Sequence, residues 1–340
     1  MAIAFSFGGI TQAQSNTSER QEIKLNFAAY VGEEEFVCGE SYEGVGTEKS
    51  TITPKDFRFY VSNLALINDD GDAIPLELSQ DGKWQYQNTA LLDFEDGSSS
   101  CDNGTAEINT TVAGTIPAGD YQSLQFTLGV PPNLNHDDAA IAPSPLNLTS
   151  MWWNWQGGYK FLRVDLETEE AIVNVGNSNS HGGQDNIQGN EQTRHQTGRQ
   201  PSIFSHGQDS HNKSPQTSHQ NSNGETNTGH GQEAIDSNAY LIHLGSTGCA
   251  DSTQSSLFDC ANPNRVKVAL EDFDPEKDVV IADLGELLAQ SDLTSNQLNT
   301  PNGCMSTPED GDCIPIMQNL NLSASTSKSG ESAQYFFFVE

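Results

Sequence analysis

Three of the chain's four tryptophans fall within four consecutive positions, in the run Met151-Trp152-Trp153-Asn154-Trp155-Gln156-Gly157-Gly158-Tyr159. Indole is bulky and readily oxidised, and its one N–H needs a partner when buried; such clustering serves packing, stacking on a ligand, or redox chemistry. In an extended segment Trp153 and Trp155 share one face, with Trp152 and Asn154 on the other. The histidines are the second chemical feature. Six of eight, His181, His195, His206, His211, His219 and His230, sit in a low-complexity stretch. The other two have distinctive contexts. His136 ends Gly129-Val130-Pro131-Pro132-Asn133-Leu134-Asn135-His136, a strand end running into a proline-stiffened loop. His243 opens His243-Leu244-Gly245-Ser246-Thr247-Gly248-Cys249, where a strand enters a loop. Two neutral imidazoles alone make only a weak metal site.

These residues need a scaffold, and its elements are legible as runs of β-branched and aromatic residues. Strands are predicted at Ile23–Val31, Phe57–Ile67, Gln85–Phe94, Ala106–Ile116, Tyr121–Val130, Tyr159–Leu166, Ala239–Leu244 and Val266–Leu270. Turn signals separate them, among them Asn68-Asp69-Asp70-Gly71-Asp72, Asp96-Gly97 and Pro117-Ala118-Gly119-Asp120. The pattern predicts a mainly β fold, an antiparallel β-sandwich. One departure is Asp278–Gln290, where Val280, Ile281, Leu284, Leu287 and Leu288 stand at helical spacing and predict one short C-terminal helix.

Composition shifts at about Asn177 and recovers at about Ala234. The stretch between, 177–233, is rich in Asn, Gln, Ser, Gly and His and has too little apolar surface to offset the entropy of ordering it. It reads as a long disordered insertion that can gather copper or zinc weakly through its histidines. The strands around Val164 and Leu241 are expected to be sheet neighbours, giving a single β domain over 22–340 interrupted by the insertion.

Lys and Arg number 15 against 47 Asp and Glu, a formal charge of -32. Such a surface repels nucleic acid and anionic membranes. Met1–Gln14 is apolar, ends in small and polar residues and precedes the first basic residue, Arg20. Residues 1–21 are read as a signal-peptide remnant and flexible N-terminus, with cleavage near Ala13, and no other segment is long and apolar enough for a membrane span. A periplasmic or secreted protein is expected. Six cysteines suit that compartment. Of the fifteen possible pairings the preferred one joins Cys249 to Cys260 and Cys304 to Cys313 across short loops, leaving Cys38 with Cys101.

Several segments together carry a family resemblance. They are Asp56-Phe57-Arg58-Phe59-Tyr60-Val61-Ser62, Ala90-Leu91-Leu92-Asp93-Phe94, Leu128-Gly129-Val130-Pro131, Leu134-Asn135-His136, Pro145-Leu146-Asn147, Met151–Lys160, His243–Cys249 and Gly303-Cys304-Met305-Ser306. In this order, from about Glu22 to Cys313, they resemble the MbnP-type proteins, the four-Cys members of the metallo-mystery pair. The resemblance implies a periplasmic or surface copper-binding protein, not an enzyme, encoded with a dihaem partner of the cytochrome c peroxidase type (MbnH-type). That partner is expected to oxidise a tryptophan to kynurenine, which then helps bind copper beside histidines. Carried onto this chain, the positions are Trp153 and Trp155 for the oxidised residue and metal site, with His136 and His243 as the imidazoles. Native indole is a poor ligand because its nitrogen lone pair belongs to the ring. Kynurenine offers an aryl amine and a ketone instead.

A second reading makes the protein an extracellular recognition module, with the tryptophans as a stacking platform for sugar or protein. The remaining motifs are weak. The acidic turns at Asn68–Asp72 and Pro308–Asp312 do not fit EF-hand spacing, Gly44-Val45-Gly46 lacks the third glycine of a dinucleotide loop, and neither a Gly-x-Ser-x-Gly elbow nor a His-Glu-x-x-His motif occurs.

Overall fold

The computed structural model describes residues 19–175, 238–251, 258–322 and 334–340. The signal-like N-terminus to residue 18 and the insertion with its six histidines lie outside the described residues. Two large sheets carry the fold. One has the order Phe337–Val339, Val279–Asp283, Arg20–Val31, Thr111–Pro117, Glu77–Leu78. The other runs Val266–Leu270, Tyr121–Leu128, Ser50–Asn68, Gly158–Thr168, Ala239–Gly245, Gly303–Cys304, with shorter strands paired along its length. Every predicted strand has a counterpart, and Val164 faces Ile242 while Asp165 faces Leu241, so the two sides of the insertion are hydrogen-bonded neighbours.

The pairing is not purely antiparallel. Arg20–Val31 runs parallel to Val279–Asp283, and Ala239–Gly245 runs parallel to Gly303–Cys304. The helix expected over Asp278–Gln290 is divided: Val279–Asp283 is strand and only Leu284–Leu288 is helix, capped by the Asp283 carboxylate accepting from the Gly285 N–H. Val279, Val280 and Ile281 form a β-branched run that fits the sheet as well as it fits a helix face, and the pairing with Arg20–Val31 decides it. A second helix, Cys313–Asn319, was hidden because Pro315 breaks a helical pattern; it falls in the first turn, where no N–H is missed.

The long strand Ser50–Asn68 is buried on both faces, and that positions the site. Alternation sends Phe57, Phe59 and Val61 into the core between the sheets, where Phe59 meets Phe27 and Phe337 with ring centroids 6.4 and 5.4 Å apart. The residues between them, Arg58, Tyr60 and Ser62, face the other way and are equally enclosed. Tyr60 belongs to a second apolar cluster with Val130, Leu134, Leu146, Met151, Tyr159 and Phe161, built largely from the segment after Leu128. Tyr60 and Tyr159 donate their hydroxyls to the Pro145 and Leu146 carbonyls at 2.9 and 2.6 Å. That segment, holding His136 and the tryptophans, is thereby fixed over the outer face of the sheet.

All three disulfides follow the preferred pairing, Cys38 with Cys101, Cys249 with Cys260 and Cys304 with Cys313. Among the described residues no helix is long and apolar enough to cross a membrane.

Candidate metal centre

The tryptophan run forms a tight hairpin rather than an extended strand. Trp152 pairs with Tyr159 and Asn154 with Gly158, and the Asn154 side-chain oxygen accepts from the Gln156 and Gly157 N–H groups at 2.9 and 2.8 Å. Strand geometry covers only Trp152–Asn154, so Trp155 sits in the turn and does not share a strand face with Trp153. The shared face expected from alternation is thus overturned by the Asn154 turn. Gly158 has a φ of +73°, and a Cβ there would meet the Asn135 carbonyl at 2.3 Å. Glycine is required for that close approach.

His136 and Trp155 come together. The His136 ring Nδ1 lies 3.1 Å from the Trp155 carbonyl, which can only accept, so Nδ1 carries the proton. Its Nε2 lone pair accepts from the Asn135 side-chain amide at 3.1 Å. Phe258 stacks on the imidazole at 4.2 Å and also lies 6.0 Å from the Trp155 ring. Trp155 is otherwise open to solvent, with 54% of its surface exposed. Burial keeps the His136 pKa below the ordinary histidine value, although the Trp155 carbonyl works the other way.

His243 and Trp153 form a second neighbourhood. Ile242 and Leu244 point into the core, so His243 and Gly245 face outward together. The Trp153 indole lies over Gly245, where a Cβ would come within 2.5 Å of the ring. A Gly245→Ala variant is therefore expected to dislodge the indole and lose about 1–3 kcal/mol of stability. Tryptophan emission and thermal unfolding read both effects, and an unchanged spectrum would contradict the seating. A cavity of about 340 Å³ opens beside the ring, lined by Trp153, Gly157, Ser246, Gly248, Cys249 and Met305 among others.

The His243 Nε2 lies 2.7 Å from Asp165 Oδ1. Burial alone would raise the Asp165 pKa, but the hydrogen bond from His243 and the neighbouring Arg163 guanidinium hold it well below the usual carboxylate range. An ionised Asp165 only accepts, which fixes the proton on Nε2 and leaves Nδ1 as the lone-pair nitrogen. Burial pushes the His243 pKa down, Lys160 adds to this, and Asp165 opposes it. From Asp165 a chain of charges crosses the sheet: to Arg163, from Arg163 to Asp56 at 3.1 Å, from Asp56 to Arg58, and from Arg58 to Glu95 at 3.4 Å.

No contact among the described residues joins the two imidazoles. The tryptophan hairpin reaches both neighbourhoods, His136 through Trp155 and Gly245, on the strand of His243, through Trp153. Asp165, Asn135 and Phe258 escaped the sequence reading. Their signal was present in part: Arg163 and Asp165 alternate as charged residues within an otherwise apolar strand, a pattern that asks for partners on a covered face.

The sandwich and its outer layer define a β protein that holds two imidazoles, each hydrogen-bonded to a fixed acceptor, in the neighbourhood of a tryptophan hairpin. The MbnP family model matches residues 20–214, and the chain belongs to the MbnP family. Among solved structures, MbnP from Methylosinus trichosporium is similar, with 25% identity, a TM-score of 0.68 and coverage of 94% of this chain and 98% of that one. No curated protein matches the chain.

Proposed function

We propose that this protein is a periplasmic or secreted copper carrier whose site combines His136, His243 and a tryptophan oxidised to kynurenine by a dihaem cytochrome c peroxidase-like partner. The observation that carries the reading is the state of the two imidazoles. Burial lowers the pKa of each, each directs one ring nitrogen at a fixed acceptor, and each has a second nitrogen to offer a metal, His136 Nε2, which the Asn135 amide now holds, and His243 Nδ1. That is the form in which histidine binds a transition metal, with the outer partner fixing ring orientation. Copper suits nitrogen donors and, as Cu(I), tolerates a low coordination number.

Trp155 stands beside His136, and Trp153 lies over Gly245, two residues from His243 along one strand, so either ring, once opened, would bring its aryl amine and ketone to the neighbourhood of one imidazole. The chain acts here as substrate of the partner and carrier of the metal, not as a catalyst. The six-histidine insertion supplies weaker, separate uptake, and deleting 177–232 is expected to leave the tight site intact.

The double variant His136→Ala/His243→Ala tests the site. Wild type is expected to hold about one tight copper, and the double variant to lose more than about 100-fold in affinity, since outer-partner changes alone cost about 10–100-fold. Unchanged affinity would sink the assignment. Mass analysis of the Met151–Lys160 peptide from native material reads the modification, as the gain of one oxygen with loss of one carbon on a single tryptophan. The exposure of Trp155 favours the second reading, a stacking platform; copper-independent ligand binding lost in Trp155→Ala would support it.

A further inference from the structure

His136 has a second set of neighbours that the copper reading does not use. Cys249 and Cys260 are directly opposed in the antiparallel pair Thr247–Asp251 and Phe258–Asn262. The His136 Nε2 lies 3.6 Å from Cys260 Sγ, and the nitrogen and both sulfurs lie within 4.8 Å of one another. Joined as a disulfide, the sulfurs carry no charge and are poor ligands, because the thiolate is the metal-binding form.

We infer that opening the Cys249–Cys260 disulfide creates a Cys2His site for a thiophilic d10 cation, Cu(I) or Zn(II), made of both thiolates and His136 Nε2. Three features support it. The ladder holds Thr247 against Asn262 and Ala250 against Asp259 independently of the sulfur bond, so the thiols remain opposed after it is cut. The imidazole is already oriented by the Trp155 carbonyl on Nδ1 and by the Phe258 ring stacked on it, with Nε2 on the sulfur side, where an incoming cation replaces the Asn135 amide hydrogen on its lone pair. Access is also selective. Cys249 and Cys260 are both half-buried, whereas each of the other two bridges has at least one sealed cysteine: Cys101, Cys304 and Cys313 are 0–3% exposed, and only Cys38 among those four is half-buried. Three soft or borderline donors with an open fourth position suit these ions.

The chemistry balances with a dithiol as reductant. Its thiolate attacks one sulfur of the bridge, a mixed disulfide forms, and the second thiol closes the reagent into its own disulfide. Two electrons and two protons pass to Cys249 and Cys260. The incoming cation then displaces the two thiol protons to solvent. The inference takes only His136 from the copper reading and needs neither His243 nor a modified tryptophan. Reduction would turn His136 from one metal site to another, making the disulfide a redox gate on the carrier.

The test uses the full chain, reduced with dithiothreitol without oxygen and freed of the reagent by anaerobic gel filtration before cadmium(II) is added alone as probe. Thiolate-to-cadmium charge-transfer absorption reports sulfur ligation and is not produced by imidazole, so the histidine-rich segment does not interfere. Alkylation followed by peptide mass analysis shows which bridges have opened. Reduced wild type and reduced His243→Ala are each expected to take one cadmium with this absorption, while oxidised protein shows none. Cys249→Ser/Cys260→Ser should lack the band under the same treatment, and His136→Ala should bind at least about 10-fold more weakly. A band of full size in the double-serine variant overturns the inference. So do an absent band with both thiols free, a bridge that stays closed while the others open, and unchanged affinity in His136→Ala. Failure of the copper reading appears elsewhere, as tight copper binding that survives the loss of both histidines.

Discussion

Arg58→Ala is expected to remove about 3–5 kcal/mol of folding stability, the loss typical of breaking a buried ion pair from one side. Arg58 is 1% exposed, donates through Nε to Asp56 at 2.8 Å and faces Glu95 at 3.4 Å. Burial opposes its charge, but the hydrogen bond and charge of Asp56, with Asp93 and Glu95, hold its pKa above the ordinary arginine value. Without it, the fully buried Glu95 loses its cation. Asp56 keeps only Arg163, which is also pledged to Asp165. Urea unfolding should show a lower midpoint with an unchanged slope, and the melting temperature should fall by roughly 10 °C. A loss under about 1 kcal/mol would mean that the carboxylates are solvated or protonated without it.

The opposite sign is expected at Asp93. It is fully buried, its Oδ1 has no hydrogen-bond partner, and burial, reinforced by Glu95 and countered by Arg58, pushes its pKa up to about 8. In the unfolded chain the same carboxyl titrates near its ordinary value of about 3.9. Between about pH 4 and pH 8, then, the folded protein holds the proton that the unfolded chain has released, and each rise in pH within that window favours unfolding. Asp93→Asn supplies a neutral isostere and deletes the titration. The variant should match wild type near pH 4 and exceed it at pH 8 by an amount on the order of 2–4 kcal/mol. Asp165 works in another window: its depressed pKa adds stability above the ordinary carboxylate range and loses it only as pH falls further. An Asp93→Asn variant that is no more stable at pH 8 would show that the carboxyl ionises without penalty.

Both residues show where sequence reading stops. Asp56-Phe57-Arg58-Phe59-Tyr60 announces a strand, because period-two alternation is a local property. That its polar face is sealed under the segment after Leu128 is a long-range fact, carried by Tyr60 reaching Pro145 and Tyr159 reaching Leu146. The disulfides were legible from spacing, and the two histidines stood out from the low-complexity stretch. The relation of Trp153 to Trp155 was not, since one side-chain oxygen of Asn154 turns an expected strand into a hairpin. The Asp165 contact to His243 depends on register between strands separated by the insertion, and register leaves no mark in either strand alone. The division of Asp278–Gln290 into strand and helix has the same origin. The four-residue apolar run Val279–Ala282 fits both periods until a partner strand selects one.

The parallel pairing of Arg20–Val31 with Val279–Asp283 has a consequence in time rather than space. Once made, Arg20–Val31 meets its parallel neighbour only after some 250 further residues have followed, although its Leu25, Phe27 and Ala29 are buried in the folded protein between that strand and Thr111–Pro117. Contacts this distant in sequence are slow to form, and chains that wait for them expose apolar strands meanwhile. The sheet therefore closes only once Val279–Asp283 has been made, and a fragment stopping before residue 279 is expected to leave Arg20–Val31 unpaired on one side.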